Sequence, residues 1–175
     1  AEAPPCLVVD ETVIEALESD GVTLQNLSAS KAVSGNPSLR SQVTLWQKKL
    51  SNVDAVLSVW SDTQRKWAAL EAIFCRSADI RAQLPEEARL FDQVNSKYKE
   101  LMMAAPALPG VLDSCEVSGR RETLEMLLRS LELRERALQD YLETKRQDFP
   151  RFYFVSTADL LDILAQGGDP HAVEH

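Results

Sequence analysis

The chain has 175 residues, enough for one domain with a sizeable core, and its 45% apolar and 26% charged residues exclude wholesale disorder. Nineteen basic residues against 27 acidic ones leave a formal charge of -8, which argues against a nucleic-acid partner, because phosphate binding needs a concentrated basic surface. Cys6, Cys75 and Cys115 are odd in number and widely spaced, with no CxxC, so they suggest neither a disulfide framework nor a zinc finger and fit a reducing compartment.

No run approaches the roughly 20 apolar residues that span a bilayer. The start "AEAPPC" lacks the basic and apolar regions of a secretory leader. The expectation is an intracellular chain with no membrane partner, in which the sequon Asn26-Leu27-Ser28 is fortuitous.

In residues 10 to 34, Val13, Ile14, Leu17, Leu24, Leu27 and Ala32 recur at helical spacing, and Asp20-Gly21 predicts a break between two short helices. Their surface is acidic, with no basic residue before Lys31. Asn36-Pro37 then places a capping residue before a proline, the pattern of a helix start. The long helix that follows carries Trp46, Leu50, Val53, Leu57, Trp60, Gln64, Trp67, Glu71 and Phe74 in alternating steps of four and three, the spacing of a heptad seam. Gln64 and Glu71 interrupt the seam, while Leu70 and Ile73 widen its apolar face.

Leu84-Pro85-Glu86-Glu87 predicts the next helix start, with carboxylates at the positive end of the dipole. Phe91, Val94, Tyr98, Leu101 and Ala105 form its stripe. "AAPALPG" breaks it, and residues 106 to 119 read as a loop. A helix over about 120 to 147 follows, with Leu124, Leu127, Leu131, Leu138, Tyr141 and Leu142 inward, and with Glu125 to Arg129 and Glu132 to Arg136 as exposed pairs.

"DFPRFYFVS", residues 148 to 156, stands apart from these stretches. Pro150 biases Phe149 toward an extended conformation, and Phe152, Tyr153, Phe154 and Val155 are good strand formers, so a short extended connector is expected near 152 to 155, covered on both faces and partly by surfaces outside this chain. Ser156 with Asp159 reads as a capping box for a last short helix, Leu160 to Ala165, ended by Gly167-Gly168. The fold expected is mainly α, an elongated helical bundle with one short extended segment. Its parts are short acidic helices over 1 to 35, a long-helix bundle over 36 to 147, and the aromatic connector with its helix over 148 to 175.

Catalytic chemistry finds little support. None of the six glycines precedes a lysine, so there is no P-loop, and there is no GxSxG elbow. The two histidines lie in "HAVEH", residues 171 to 175, a formal H-x-x-E-H zinc pattern that follows a GGDP breaker and lacks a third ligand. No catalytic, cofactor-binding or metal residue is therefore assigned. Gln64 reads as a residue that fixes helix register, with a ligand pocket as the alternative. Trp46, Trp60 and Trp67 read as core, with a partner surface as the alternative. Lys145-Arg146 with Arg151 reads as a solvated face balanced by Glu143 and Asp148, with an acidic partner as the alternative.

At "WSDTQRKWAALEAIF" (60 to 74), "ADIRAQLPEEARLFDQV" (78 to 94) and "YLETKRQDFPRFYFVSTADLLDIL" (141 to 164) the chain resembles the linker region of dynein heavy chains. The blocks come in the family's order at about its spacing, and the last is the most specific. "DIRAQLPEE" is most similar to outer-arm axonemal heavy chains.

The resemblance implies the tail-proximal part of the linker, a helical lever of a microtubule motor for ciliary or flagellar movement. ATP and Mg would belong to an AAA+ ring elsewhere in the parent chain. It also implies the ring and tail of the same heavy chain as partners, with intermediate, light and neighbouring heavy chains possible, and microtubules reached only through the parent. The expected place is the axoneme. Trp46, Trp60, Gln64, Trp67, Phe74, Phe149, Pro150, Phe152 and Phe154 are the residues expected to carry structural or mechanical roles. The rival is a non-motor scaffold of spectrin-like three-helix repeats, against which stand the absence of an internal repeat and the apolar segment after the third helix.

Overall fold

The computed structural model describes residues 4 to 166. They form α1 (Glu11–Ala29), α2 (Lys31–Ser34), α3 (Pro37–Arg76), α4 (Ala78–Gln83), α5 (Pro85–Ala104), a 3-10 turn (Ala105–Ala107), α6 (Val111–Cys115), α7 (Arg120–Asp148), a second 3-10 turn (Pro150–Phe154) and α8 (Thr157–Gln166). The fold is mainly α, a helical bundle, and no strand occurs among the described residues. Gly167-Gly168 and "HAVEH" lie outside them.

The helix starts follow local chemistry. Asn36 Oδ1 accepts the amides of Ser38 at 3.0 Å and Leu39 at 3.3 Å, which satisfies orphan donors of α3 while Pro37 occupies its first position. Pro85 opens α5 in the same way, with Glu86 and Glu87 in its first turn. Ser156 Oγ accepts the amide of Asp159 at 3.2 Å and donates to Asp159 Oδ2 at 2.6 Å, so the predicted cap of α8 forms, and the helix begins at Thr157, three residues before the expected Leu160.

Three expectations need correction. α1 runs unbroken through Asp20-Gly21, because a glycine inside a helix costs only about 1 kcal/mol relative to alanine. The chain breaks instead at Ser30, whose Oγ caps α2 by accepting the amide of Val33 at 3.3 Å. The stretch 106 to 119 is not simply loop: α6 buries Cys115, and Gly119 takes a left-handed φ of 76° that other residues rarely adopt just before α7 begins. Third, Pro150–Phe154 is a 3-10 turn, not a strand. Strand propensity expresses packing against neighbouring strands, and none is present among the described residues; proline with its fixed φ suits the first position of a helical turn.

The chain divides into two compact units. The first joins the residues up to Gln64 with Leu101–Met126, and its core includes Val53, Val56, Leu57, Trp60, Met102, Cys115 and Leu124. The second joins Arg65–Glu100 with the residues from Leu127 onward, around Leu70, Phe74, Ile80, Phe91, Tyr98, Leu131, Leu142 and Leu160. No described helix is long and apolar enough to cross a membrane.

Candidate functional site

The inward stripe of α3 is close to the expected seam but turned by part of a residue step. Val53, Val56, Trp60, Thr63, Leu70 and Phe74 are buried and Trp67 is half-buried, in steps of three and four. Thr63 and Leu70 thus hold the places assigned to Gln64 and Glu71. Thr63 is tolerated in the core because its hydroxyl donates to the carbonyl of Val59 at 2.7 Å.

In the first unit Trp60 is 2% exposed. Its indole Nε1 donates to Met102 Sδ at 3.0 Å, and the guanidinium of Arg120 lies 4.9 Å from its ring centre. Arg120 is itself buried, and burial pushes its guanidinium below the ordinary value; the ring face supplies the electrostatic contact that offsets part of this cost. Trp46, by contrast, is 44% exposed and carries only the ammonium of Lys49 at 5.6 Å. It does not belong to the core. Lys49 in turn pairs with Glu116 at 2.9 Å, and Asn52 Nδ2 donates to the Cys115 carbonyl at 3.4 Å. Burial raises the Cys115 thiol above its ordinary range, which keeps it protonated and inert.

Gln64 lies beside the seam, half-buried, and grips the backbone of Leu7: the Leu7 amide donates to Oε1 at 2.8 Å and Nε2 donates to the Leu7 carbonyl at 2.9 Å. Its register role is therefore replaced by a tethering one. Nothing in the sequence near Leu7 signals this, because the contact spans 57 residues.

In the second unit Trp67 stacks on Tyr98 with ring centres 4.6 Å apart, and its Nε1 donates to Asn95 Oδ1 at 2.9 Å. Phe74 stacks on Phe91 at 5.2 Å. Ion pairs tie the helices at this level: Arg81 forks Asp92 at 3.0 and 2.6 Å, Lys66 meets Glu135, and the partly buried Arg134 meets Glu87. The Arg81 guanidinium holds the Asp92 carboxyl below the usual carboxylate range. In the first unit Glu125, expected to pair with Arg129, is held by Arg121 at 2.8 Å.

The aromatic segment closes this unit. Phe152 folds back on Phe149, with ring centres 5.7 Å apart, because the amide of Phe152 donates to the Phe149 carbonyl at 2.9 Å across Pro150. Both rings line a hollow of about 580 Å³ with Ile80, Tyr141 and Ile163. Phe154 points away and is 94% exposed, and Tyr153 is exposed with its hydroxyl donating to Glu143 at 2.7 Å. Phe152 is thus covered from within the unit, whereas Tyr153 and Phe154 present the part of the segment whose cover was expected from surfaces outside this chain. Of the three cations nearby, Arg146 pairs with Glu143 at 3.9 Å and reaches Thr157 at 3.1 Å, while Lys145 and Arg151 lie over Tyr141 and Phe152. No group of metal-binding side chains occurs among the described residues.

The nine singled-out residues thus fall into a packed set of Trp60, Trp67 and Phe74, an exposed Trp46, a tether at Gln64, and an aromatic turn holding the other four. A family model described as "Dynein heavy chain, N-terminal region 2" matches residues 3–175, the whole of that arrangement. The chain belongs to the dynein heavy chain family. Over 95% of its length it is 52% identical to the dynein beta chain of the flagellar outer arm of Chlamydomonas reinhardtii. It is 50% identical over 92% to dynein axonemal heavy chain 17 of Mus musculus, and 46% identical over 94% to the ciliary dynein beta chain of Tripneustes gratilla. The chain spans about 4% of the length of each of these relatives. Membership in the dynein family sets aside the spectrin-like alternative, and the flagellar, ciliary and axonemal names of these relatives agree with the outer-arm resemblance.

Proposed function

We propose that this dynein heavy chain segment is part of the mechanical linker of an axonemal motor, a passive element that carries force while nucleotide chemistry proceeds elsewhere in the parent chain. The observation that carries the reading is the family match across residues 3–175, to the N-terminal region of a motor protein. The packing supports it. Helices of 40, 20 and 29 residues are held by stacked rings and by ion pairs between distant residues, such as Lys66 with Glu135 and Arg134 with Glu87, and close-packed helices resist deformation.

On this reading ATP and Mg are held by the parent's ring, and the ring and tail of the same heavy chain are the segment's neighbours. Intermediate, light and adjacent heavy chains complete the assembly, microtubules are reached only through the parent, and the place of action is the axoneme. The segment itself has no catalytic role. Calorimetry of the 175-residue chain with Mg-ATP is expected to show no binding, and measurable affinity would contradict a passive segment.

The decisive test uses the full heavy chain with Phe152→Ser and Phe154→Ser. Phe154 is almost wholly exposed here, so its replacement does little to this fold and acts only if the parent covers it. Basal ATP hydrolysis is expected to persist while gliding velocity under load falls. Unchanged velocity in a folded variant would overturn the mechanical role of this turn.

A further inference from the structure

A groove of about 700 Å³ separates α1 from α3 within the first unit. Its apolar lining comes from both walls, Ile14, Leu17 and Leu24 on α1 with Leu50 and Leu57 on α3. The remaining volume exists because small residues stand where bulky ones would close it: Gly21 on α1, with Ser51, Ser58 and Ser61 on α3. A Cβ built on Gly21 would meet nothing within 4 Å. α1 accordingly buries none of its residues, although it carries an apolar stripe at helical spacing. A surface helix normally covers such a stripe, since each fully buried leucine is worth about 1.5 to 3 kcal/mol.

Charge says what completes the groove. One carboxylate stands on each wall, Glu18 on α1 and Asp54 on α3, and no lysine or arginine lines the space. Both are exposed, and among the described residues neither makes an ion pair. The whole of α1 adds Glu11, Glu15 and Asp20 and has no basic residue. Anionic lipids and nucleic acid are repelled by such a site. The apolar positions Leu17 and Leu24 lie two helical turns apart, the spacing at which a second helix presents anchors at i, i+3 and i+7.

We propose that the groove between α1 and α3 docks a basic amphipathic helix of another polypeptide, whose large apolar side chains seat among Leu17, Leu24, Leu50 and Leu57 and whose lysines or arginines pair with Glu18 and Asp54. This goes beyond the lever reading, because it gives α1 a binding role that the stiffness of the packed helices does not require. It makes α1 a receptor for a subunit of complementary charge.

The test uses a fluorescent 18-residue helical peptide with leucines at i, i+3 and i+7 flanked by lysines, a counterpart flanked by glutamates, and the 175-residue chain. Anisotropy is expected to show the lysine peptide binding at least tenfold more tightly than the glutamate peptide. The double variant Glu18→Lys with Asp54→Lys should invert that preference; both positions are exposed, so circular dichroism should be unchanged. Gly21→Leu, whose Cβ has open space and whose side chain would occupy the groove, should weaken the lysine peptide at least tenfold with no loss of thermal stability. Failure of the peptide to bind, or equal binding to parent and variants, would overturn the proposal. So would concentration-dependent dimerisation in sedimentation that the peptide competes away, which would make a second copy of this chain the occupant.

Discussion

The side-chain amide of Gln64 pairs with both the backbone N–H and the C=O of Leu7, with bonds of 2.8 and 2.9 Å that reproduce the pairing of one strand with another. This tether anchors the segment before α1 to α3. Gln64→Leu removes both bonds and leaves the partly buried Leu7 amide without its side-chain partner, a loss of about 1 to 2 kcal/mol locally. Hydrogen exchange at Leu7 is expected to speed up at least tenfold, while the core amides of α3 keep their protection. Unchanged exchange at Leu7 would show that the tether does not hold in solution.

Periodicity made the long helices legible and left their contacts obscure. Asn36-Pro37 and Leu84-Pro85 announced α3 and α5 because capping and proline chemistry act within a few residues. The seam held at Val53, Leu57, Trp60 and Phe74 but slipped by one position at Gln64, since threonine counts as polar in a pattern, and only the structure shows that Thr63 satisfies its hydroxyl on its own helix. Gln64 with Leu7, Arg120 over Trp60 and Arg134 with Glu87 join residues 57, 60 and 47 positions apart, beyond the reach of any local pattern. The aromatic turn failed as a strand for a related reason: propensity cannot reveal whether a partner strand exists.

The three tryptophans, equivalent by spacing, should separate sharply by energy. Trp60→Ala opens a cavity in a closed core and removes the face on which Arg120 rests, so a loss of about 3 to 5 kcal/mol is expected. Trp67→Ala should cost less, because its ring is only half-buried against Tyr98. Trp46→Ala, at an exposed site, should stay within about 0.5 kcal/mol. Urea unfolding of the three variants checks the order, and a large loss at Trp46 would contradict its position.

Stability should fall with acid partly through Asp92. Its carboxyl is held below the ordinary range by Arg81, so the unfolded chain takes up this proton first as the pH drops. The contribution is therefore present above about pH 4 and lost as pH falls through the lower folded value. Both side chains are more than a third exposed, which limits the pair to about 0.5 kcal/mol. Asp92→Asn should lower stability by that amount at pH 7 and by progressively less as the pH falls below about 4. A difference that stays constant across this range would mean that the loss comes from packing and not from charge.

Phe152 and Phe154, two residues apart in a run that looks uniform, should respond oppositely in this chain by itself. The 3-10 turn aims Phe152 back at Phe149 and the hollow beside Ile80, and it aims Phe154 into solvent. Phe152→Ala removes half-buried apolar area and uncovers Phe149, so a loss of about 1 to 3 kcal/mol is expected. Phe154→Ser removes no contact that the fold makes and should leave the midpoint of thermal unfolding unchanged while improving solubility, since an exposed phenylalanine favours self-association. A loss at Phe154 as large as that at Phe152 would mean that the segment lies flat against the unit, as a strand would. Neutrality at both would mean that the turn frays in solution and that the rings pack only once further surfaces cover them.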